Sequence, residues 1–287
     1  MRQTLRFPNF DAELNTDRCG PLINAELTLT LRLGLQKVHP GSEIGNYPDA
    51  NNQTHNIIRW TPEAWTTWKD RFRSIVQTFW DGKFWLVNDC FSFPFQSGET
   101  TLYPNIWCRF ILILNDNLTS DNHHTVQVVR LDPKAGFFRS NAGLYTDRDT
   151  EPFRTGDTSK GKPIFQIPGP HEIAHVLGLD HVAVGKPGCP ASGDQGAPAC
   201  YGISDYDMQS VMGRGMELRP EHAYPWRESL RYFALEELMK RVMKAPFRSK
   251  YNALMTAINS PLSPWPTRMR NCYPRTFLGV ETGREFV

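Results

Sequence analysis

The segment HEIAHVLGLDH, from His171 to His181, decides the fold expected for this chain. It packs three histidines and one glutamate into eleven residues, and a Pro-Gly-Pro run stands directly before it. Proline is well placed at a helix start, because its missing N–H would have no partner there. Gly178 is the expected stop, since glycine adopts the left-handed conformation that ends many helices. The pattern predicts a short helix over residues 171–177, followed by a sharp turn.

On such a helix His171 and His175 are four residues apart, so both imidazoles face one side and can reach one ion at about 2.0–2.1 Å. Glu172 is rotated away from them, which puts its carboxylate beside the ion rather than on it. If the chain turns at Gly178, His181 becomes a third ligand and a fourth position stays open. This arrangement predicts one catalytic Zn²⁺ ion, a metal-activated water and Glu172 as the general base.

The segment resembles the zinc signature H-E-x-x-H-x-x-G-x-x-H of the metzincin metallopeptidases, and all five fixed positions match. The matching residues are His171, Glu172, His175, Gly178 and His181. The resemblance implies a zinc-dependent endopeptidase that hydrolyses peptide bonds in protein or peptide substrates. It also implies a methionine-containing turn beneath the metal, which QSVMGRG (209–215) supplies through Met212. The alternative interpretation of Met212 is ordinary core packing.

Position 214 departs from the family pattern. Several metzincin groups have a tyrosine two residues after the methionine, whereas this chain has Arg214. Tyrosine assistance from that position is therefore excluded, and Arg214 faces either substrate or solvent. Tyr201, Tyr206 and Tyr224 are alternatives that the sequence does not place, so the group that stabilises the transition state stays open.

Two other functions stay open from the sequence. One is a zinc-containing binding or interaction protein without catalysis, and the other is metal-dependent hydrolysis of a non-protein amide, such as one in a cell-wall peptide. Glu172 argues against the first, because a structural zinc site needs no general base and usually has four protein ligands.

Hydrophobic periodicity indicates the elements around this segment. Leucines alternate along residues 26–38, as expected for a half-buried strand, and residues 61–80 have the spacing of an amphipathic helix that Thr61 would cap. Further strands are predicted over 83–87, 106–115, 124–131, 140–146 and 162–167, and a long helix over 226–243. One of the two last strands could be an exposed edge strand that holds an extended peptide. Residues 39–55 are predicted to be a loop.

Together these elements predict an α+β fold like that of the metzincins. We expect a twisted, mostly parallel N-terminal sheet with a backing helix and the zinc-site helix, and a smaller irregular and helical C-terminal subdomain. The predicted boundary divides residues 1–180 from residues 181–287, with the active-site cleft between the two parts. The second part would supply the third zinc ligand, the methionine turn and the long helix.

Composition excludes some classes of function. Lys and Arg number 32 against 30 Asp and Glu, so no basic field points to a nucleic-acid partner. No run of apolar residues is long enough for a membrane span, and the N-terminus has no apolar signal-peptide core. We nevertheless expect a secreted or exported protein, with a bacterial toxin or effector as one hypothesis. The oligomeric state is not indicated.

Cysteines and the remaining histidines give weaker indications. Cys189 and Cys200 flank a Gly/Pro/Ala-rich loop that a disulfide would restrain, and the alternative of two unpaired thiols stays open. The five other histidines lie in polar or loop contexts, where solvent-exposed side chains are expected. They are His39, His55, His123, His124 and His222.

Overall fold

The computed structural model describes residues 2–17, 24–86, 95–97, 100–102, 104–191 and 196–243. The strands are β1 (Arg2–Arg6), β2 (Asp11–Asn15), β3 (Ala25–Lys37), β4 (Ile44–Pro48), β5 (Thr54–Ile58), β6 (Phe84–Leu86), β7 (Phe95–Ser97), β8 (Thr100–Leu102), β9 (Ile106–Asn115), β10 (His124–Leu131), β11 (Leu144–Thr146), β12 (Phe153–Asp157) and β13 (Pro163–Gln166). The α-helices are α1 (Pro62–Trp80), α2 (Pro168–Val176), α3 (Asp205–Gln209) and α4 (Tyr224–Met243).

The fold is α+β and is organised around β3. This strand pairs in parallel with β9 on one edge, and on the other edge it pairs with β2 and then with β10. Five leucines alternate along it, from Leu27 to Leu35, and each is at most 2% exposed. The alternation predicted from the sequence is confirmed, because only the face that carries these leucines is fully buried.

The prediction of a mostly parallel sheet is wrong. Parallel pairing is confined to the centre, where β3 meets β9 and β10, and β10 meets β11. Antiparallel partners surround it: β1 with β2, β2 with β3, β4 with β5, β5 with β10, and β6 with β9. The result is a mixed sheet of nine described strands. The predicted loop over residues 39–55 contains β4 and the start of β5 instead.

Helix α1 covers the leucine face of the sheet. Thr61 caps it by accepting a hydrogen bond from the backbone of Ala64, and Pro62 occupies the first turn, as predicted. The helix buries five large side chains in the same core as the leucines of β3. They are Trp65, Trp68, Phe72, Val76 and Trp80.

Helix α2 packs directly against α1. A Cβ at Gly169 would lie 3.1 Å from a ring atom of Phe72 and 3.4 Å from a methyl of Val76, so glycine permits the close approach. The indole of Trp80 donates to the carbonyl of Pro170 at 3.2 Å. Because α1 is itself fixed on the sheet, these contacts fix where the first turn of α2 lies.

The C-terminal region packs into the same hydrophobic core as the sheet. Trp226, Leu230 and Phe233 of α4 are fully buried there, and the indole of Trp226 donates to the carbonyl of Arg109 on β9. The predicted long helix is therefore present, and the division at residue 180 stays a prediction. Among the described helices, none is both long and apolar enough to cross a lipid bilayer.

A disulfide joins Cys189 to Cys200, so the pairing that the sequence left open is present. Cys108 is a buried free thiol in β9. The carbonyl of Cys200 accepts a hydrogen bond from the backbone of Ala183, which ties the end of the disulfide loop to the segment that follows His181.

Candidate metal centre

The three histidines of the opening segment meet at one point. The Nε2 atom of His181 lies 3.1 Å from that of His175 and 3.4 Å from that of His171. One ligand atom from each residue lies within 4.8 Å of the others, so the group could hold a metal ion. Gly178 makes this possible, because its φ of +92° ends α2 and reverses the chain towards His181.

Backbone carbonyls fix the orientation of two of these rings. His171 Nδ1 lies 2.6 Å from the carbonyl of Val211, and His175 Nδ1 lies 2.8 Å from that of Leu179. A carbonyl can only accept, so each Nδ1 carries the proton and each Nε2 keeps its lone pair. Burial lowers the pKa of both histidines, which favours the neutral form that a metal requires. The donor set therefore fits a divalent cation.

The segment 209–215, predicted to be the methionine turn, is hydrogen-bonded to the histidine segment. Its Val211 carbonyl accepts from His171, and its Met212 carbonyl accepts from the backbone of Val182, which follows the third histidine. Gln166, at the end of β13, donates to the carbonyls of Val211 and Gly213. The turn thus links α2 to the segment of His181, and the Met212 side chain is 2% exposed in the core.

His222 supports this turn and is not a surface residue. It is 2% exposed, its Nε2 lies 3.2 Å from the hydroxyl of Ser210, and Ser210 in turn accepts from the backbone of Met212. His222 Nδ1 accepts from the backbone of Arg219. His55 and His123 are also buried, each beside an aspartate, so the surface expectation is wrong for three of the five. The sequence distance of ten residues from Met212 was the available signal for His222.

Glu172 has a buried carboxyl group, and the positive charge of Arg139 only partly offsets the effect of this burial. The side chain of Glu172 faces two cavities next to the histidines, yet it is 8% exposed and forms no hydrogen bond or ion pair with any residue that the structure describes. Burial raises the pKa of the Glu172 carboxyl to about 8, and the negative charge of Asp149 adds to this shift. A cation at the histidines would lower that pKa by favouring the charged form.

Two neighbouring cavities share part of their lining and together form one cleft. His171 lines both cavities, and His175 and His181 line only the smaller one. The larger has a volume of about 530 Å³ and the smaller about 430 Å³, and both are lined by His171, Glu172 and Tyr201. Their walls come from residues on both sides of residue 180. The volumes are those of typical ligand pockets. The substrate-holding edge strand stays a prediction, although Gln166 of β13 does line the larger cavity.

Of the three tyrosines that the sequence did not place, Tyr201 lies beside the histidines. Its ring centroid lies 4.0 Å from that of His181 and 6.1 Å from that of His171. Arg139 donates to its hydroxyl oxygen at 3.1 Å. Burial raises the pKa of Tyr201, so it keeps its proton at neutral pH. Tyr206 is exposed beneath the guanidinium of Arg219, and Tyr224 is an exposed residue at the start of α4.

No protein-family model matches this sequence, and the searches of curated proteins and of solved structures also found no match. The geometry of the site and the signature therefore carry the functional proposal.

Asp149 is a second buried carboxyl near the site. It accepts from the hydroxyl of Ser140 and from the backbone and hydroxyl of Thr146, while its backbone carbonyl accepts from Gly169 of α2. Burial outweighs these hydrogen bonds and raises the pKa of Asp149 to about 6. A group whose pKa is raised in the folded state binds its proton more tightly there than in the unfolded chain.

Asp149→Asn is expected to stabilise the metal-free protein at pH 7. Because the pKa of Asp149 is raised in the folded state, the free energy of unfolding of the wild type falls as the pH rises from about 4 to about 6. Above that range the loss is about 2–3 kcal/mol. Asparagine keeps the shape and removes the ionisation. Urea unfolding at pH 4.5 and pH 7, with a chelator present, measures this. If the free energy of unfolding changed equally with pH in the wild type and in the variant, the raised pKa of Asp149 would be contradicted.

Proposed function

We propose that the protein is a zinc-dependent endopeptidase that hydrolyses peptide bonds. One observation carries the proposal: three histidine Nε2 atoms converge at a cleft whose lining includes a buried carboxyl group that forms no hydrogen bond or ion pair with a described residue. His171, His175 and His181 would hold the ion. When bound, zinc supplies a Lewis acid that lowers the pKa of a water molecule and polarises a carbonyl group.

Glu172 acts as the proton carrier in this proposal. Its carboxylate oxygen takes a proton from the attacking water and then gives it to the nitrogen of the leaving amine. Burial serves this role, because a raised pKa makes the protonated carboxyl accessible near neutral pH. The neighbouring positions on α2 hold His171 and the buried core residue Ile173, so the helix fixes the carboxylate relative to the ligand.

Tyr201 and Arg139 supply hydrogen bonding to the substrate. Because the hydroxyl oxygen of Tyr201 accepts from Arg139, its own hydrogen is available to the cleft. That O–H would donate to the carbonyl oxygen of the scissile bond as negative charge develops there. The positive charge of Arg139 makes the hydroxyl a stronger donor. In this proposal Tyr201 has the role that a tyrosine at position 214 would have in the metzincin groups that carry one.

Tyr201→Phe is expected to lower kcat about 100-fold with little change in KM, because a donor to a developing oxyanion acts mainly in the transition state. Steady-state kinetics on one peptide, together with zinc content, measures this effect. Tyr206→Phe is the matched control, since its exposed ring lies under Arg219 and outside the lining of the cleft. Equal kcat for Tyr201→Phe and the wild type would exclude Tyr201 as a hydrogen-bond donor to the developing oxyanion.

The number of ligands favours catalysis over a structural metal. Among the described residues the group comprises three histidines, whereas structural zinc sites usually have four protein ligands. The cleft beside the histidines also has room for a substrate, which a purely structural ion does not require.

The proposed activity can be tested with an unbiased peptide library. Wild-type protein is incubated with the library as purified, after removal of metal by a chelator, and after addition of one equivalent of zinc. We expect internal cleavage that is lost with the metal and restored by zinc. Absence of cleavage in the zinc-loaded protein would argue for a binding function, and cleavage that survives chelation would exclude the metal mechanism.

A further inference from the structure

The larger cavity carries more positive than negative charge. Three arginines line it, Arg139, Arg154 and Arg214, and Glu172 is the one carboxylate among the described residues of its lining. Its wall also contains the rings of Phe137 and Phe153, whose centroids lie 5.3 Å apart. The cavity therefore combines an apolar wall with an excess of guanidinium groups.

One of these arginines is already neutralised. Arg154 donates to both carboxylate oxygens of Asp157, at 2.6 and 2.5 Å. Among the described residues, the guanidinium of Arg139 donates only to neutral oxygens, those of Asn51, Gly196 and Tyr201, and forms no ion pair. Its charge remains in the cavity, but several of its N–H groups are used.

Of the three arginines, Arg214 has the most guanidinium N–H groups that do not donate to a described residue. Among the described residues its guanidinium makes one long hydrogen bond, 3.4 Å to the carbonyl of Pro198, and no ion pair. Its backbone is fixed on both sides, because its N–H donates to Met208 and its carbonyl accepts from the hydroxyl of Thr155. An added Cβ at Gly156 would lie 3.6 Å from Arg214 Nη1, an ordinary van der Waals distance, so the guanidinium lies beside the backbone of Gly156.

We propose that this cavity binds a carboxylate group of the peptide substrate, with Arg214 as the main contact and Arg139 contributing charge. The proposal rests on the peptidase function above and names its substrate class: peptides that are acidic next to the cleaved bond. A guanidinium pairs with a carboxylate through two parallel hydrogen bonds, and the phenyl rings can cover the methylene groups of a glutamate. A volume of about 530 Å³ accommodates such a side chain.

The carboxylate could come from an acidic side chain or from the C-terminus of the peptide, and the test separates the two sources. One peptide series has amidated ends and carries Glu, Gln or Lys at each position around the cleaved bond. A second series carries Gln internally and ends in a free carboxylate. Cleavage by the wild type is compared with that by Arg214→Gln and by Arg154→Gln, the control for an arginine that is already paired.

A binding measurement makes the result independent of catalysis. The zinc-loaded, full-length Glu172→Ala protein is titrated with the same peptides by calorimetry, with and without Arg214→Gln. We expect at least tenfold tighter binding and faster cleavage of carboxylate-bearing peptides, weakened by salt. Arg214→Gln should reduce this preference to less than threefold, while Arg154→Gln should keep most of it.

The outcomes distinguish this proposal from the proposed function. Cleavage by the wild type without any preference for a carboxylate would overturn the proposal and leave the peptidase function standing. Selective, Arg214-dependent binding without cleavage would support the proposal and overturn the peptidase function. If Arg154→Gln and Arg214→Gln lost the preference for carboxylate-bearing peptides equally, the proposal would also be overturned. Arg154, which is already paired with Asp157, would then contribute as much as Arg214.

Discussion

Replacing Glu172 by alanine is expected to lower kcat by about 10²–10⁴-fold while one zinc ion stays bound, because general base catalysis contributes an effect of this size. Glu172 lines the same cavity as the three histidines and is not one of the three converging ligands, so the metal site itself should survive. Glu172→Gln should lose the same activity, since an amide cannot accept the proton. Single-turnover kinetics together with elemental analysis of zinc measure both quantities.

Stability provides the control for both Glu172 variants. In the metal-free protein, burial raises the pKa of Glu172 to about 8, so the wild type loses stability as the pH rises from about 4.5 to about 8. Glu172→Gln removes that cost and should unfold at the same or a higher temperature at pH 7. Near-normal turnover by either variant would refute the assigned proton carrier, and lost zinc in Glu172→Gln would show that the residue holds the metal.

Replacing His181 by alanine is expected to abolish the stabilisation that zinc gives to the wild type. A ligand that binds only the folded state stabilises it by about 4 kcal/mol at 1,000 times its dissociation constant. With two of three nitrogens left, the dissociation constant should rise more than about 1,000-fold and exceed the zinc concentration used, so almost no zinc-dependent rise in Tm should remain. Thermal unfolding with and without zinc measures the effect.

His39→Ala is the matched control for this experiment. His39 is exposed and lies outside the three-histidine group, so its replacement should leave the zinc-dependent shift in Tm intact. The metal-free His181→Ala protein should unfold near the wild-type temperature. A zinc shift that persists in His181→Ala, or one that is lost equally in His39→Ala, would contradict the assigned ligand set.

Local signals predicted the centre of the molecule well. The Pro-Gly-Pro run and Gly178 mark the two ends of α2, although the helix begins at Pro168 rather than His171. Alternation along β3 and the three- and four-residue spacing of α1 gave these elements nearly their observed bounds. These patterns work because each element buries one continuous face against the same core.

The outer strands could not be predicted in this way. In β1 and β4 no side chain is fully buried, so neither strand has an apolar face that alternation would reveal. Their pairing depends on backbone hydrogen bonds to neighbours, which the sequence of one strand does not encode. These strands and β2 and β5 make the sheet mixed, and this is why the parallel expectation failed.

Contacts between distant residues were also beyond local patterns. Arg139 and Tyr201 are 62 residues apart and meet at 3.1 Å, and His222 is buried against Ser210 across a turn. A tyrosine or histidine has the same local appearance whether it faces solvent or a cleft. Tyr201 follows the disulfide-bonded Cys200, and its ring centroid lies 4.0 Å from that of His181, a contact that no local pattern encodes.

In the proposed site, three histidines hold one zinc ion and leave a position open for chemistry. X-ray absorption on the zinc-loaded wild type, with elemental analysis of the same sample, tests it most directly. We predict one zinc per chain, three imidazole nitrogens at about 2.0–2.1 Å and at least one oxygen from solvent. A sulfur ligand, a fourth protein ligand that closes the site, or a protein that retains no zinc would contradict it.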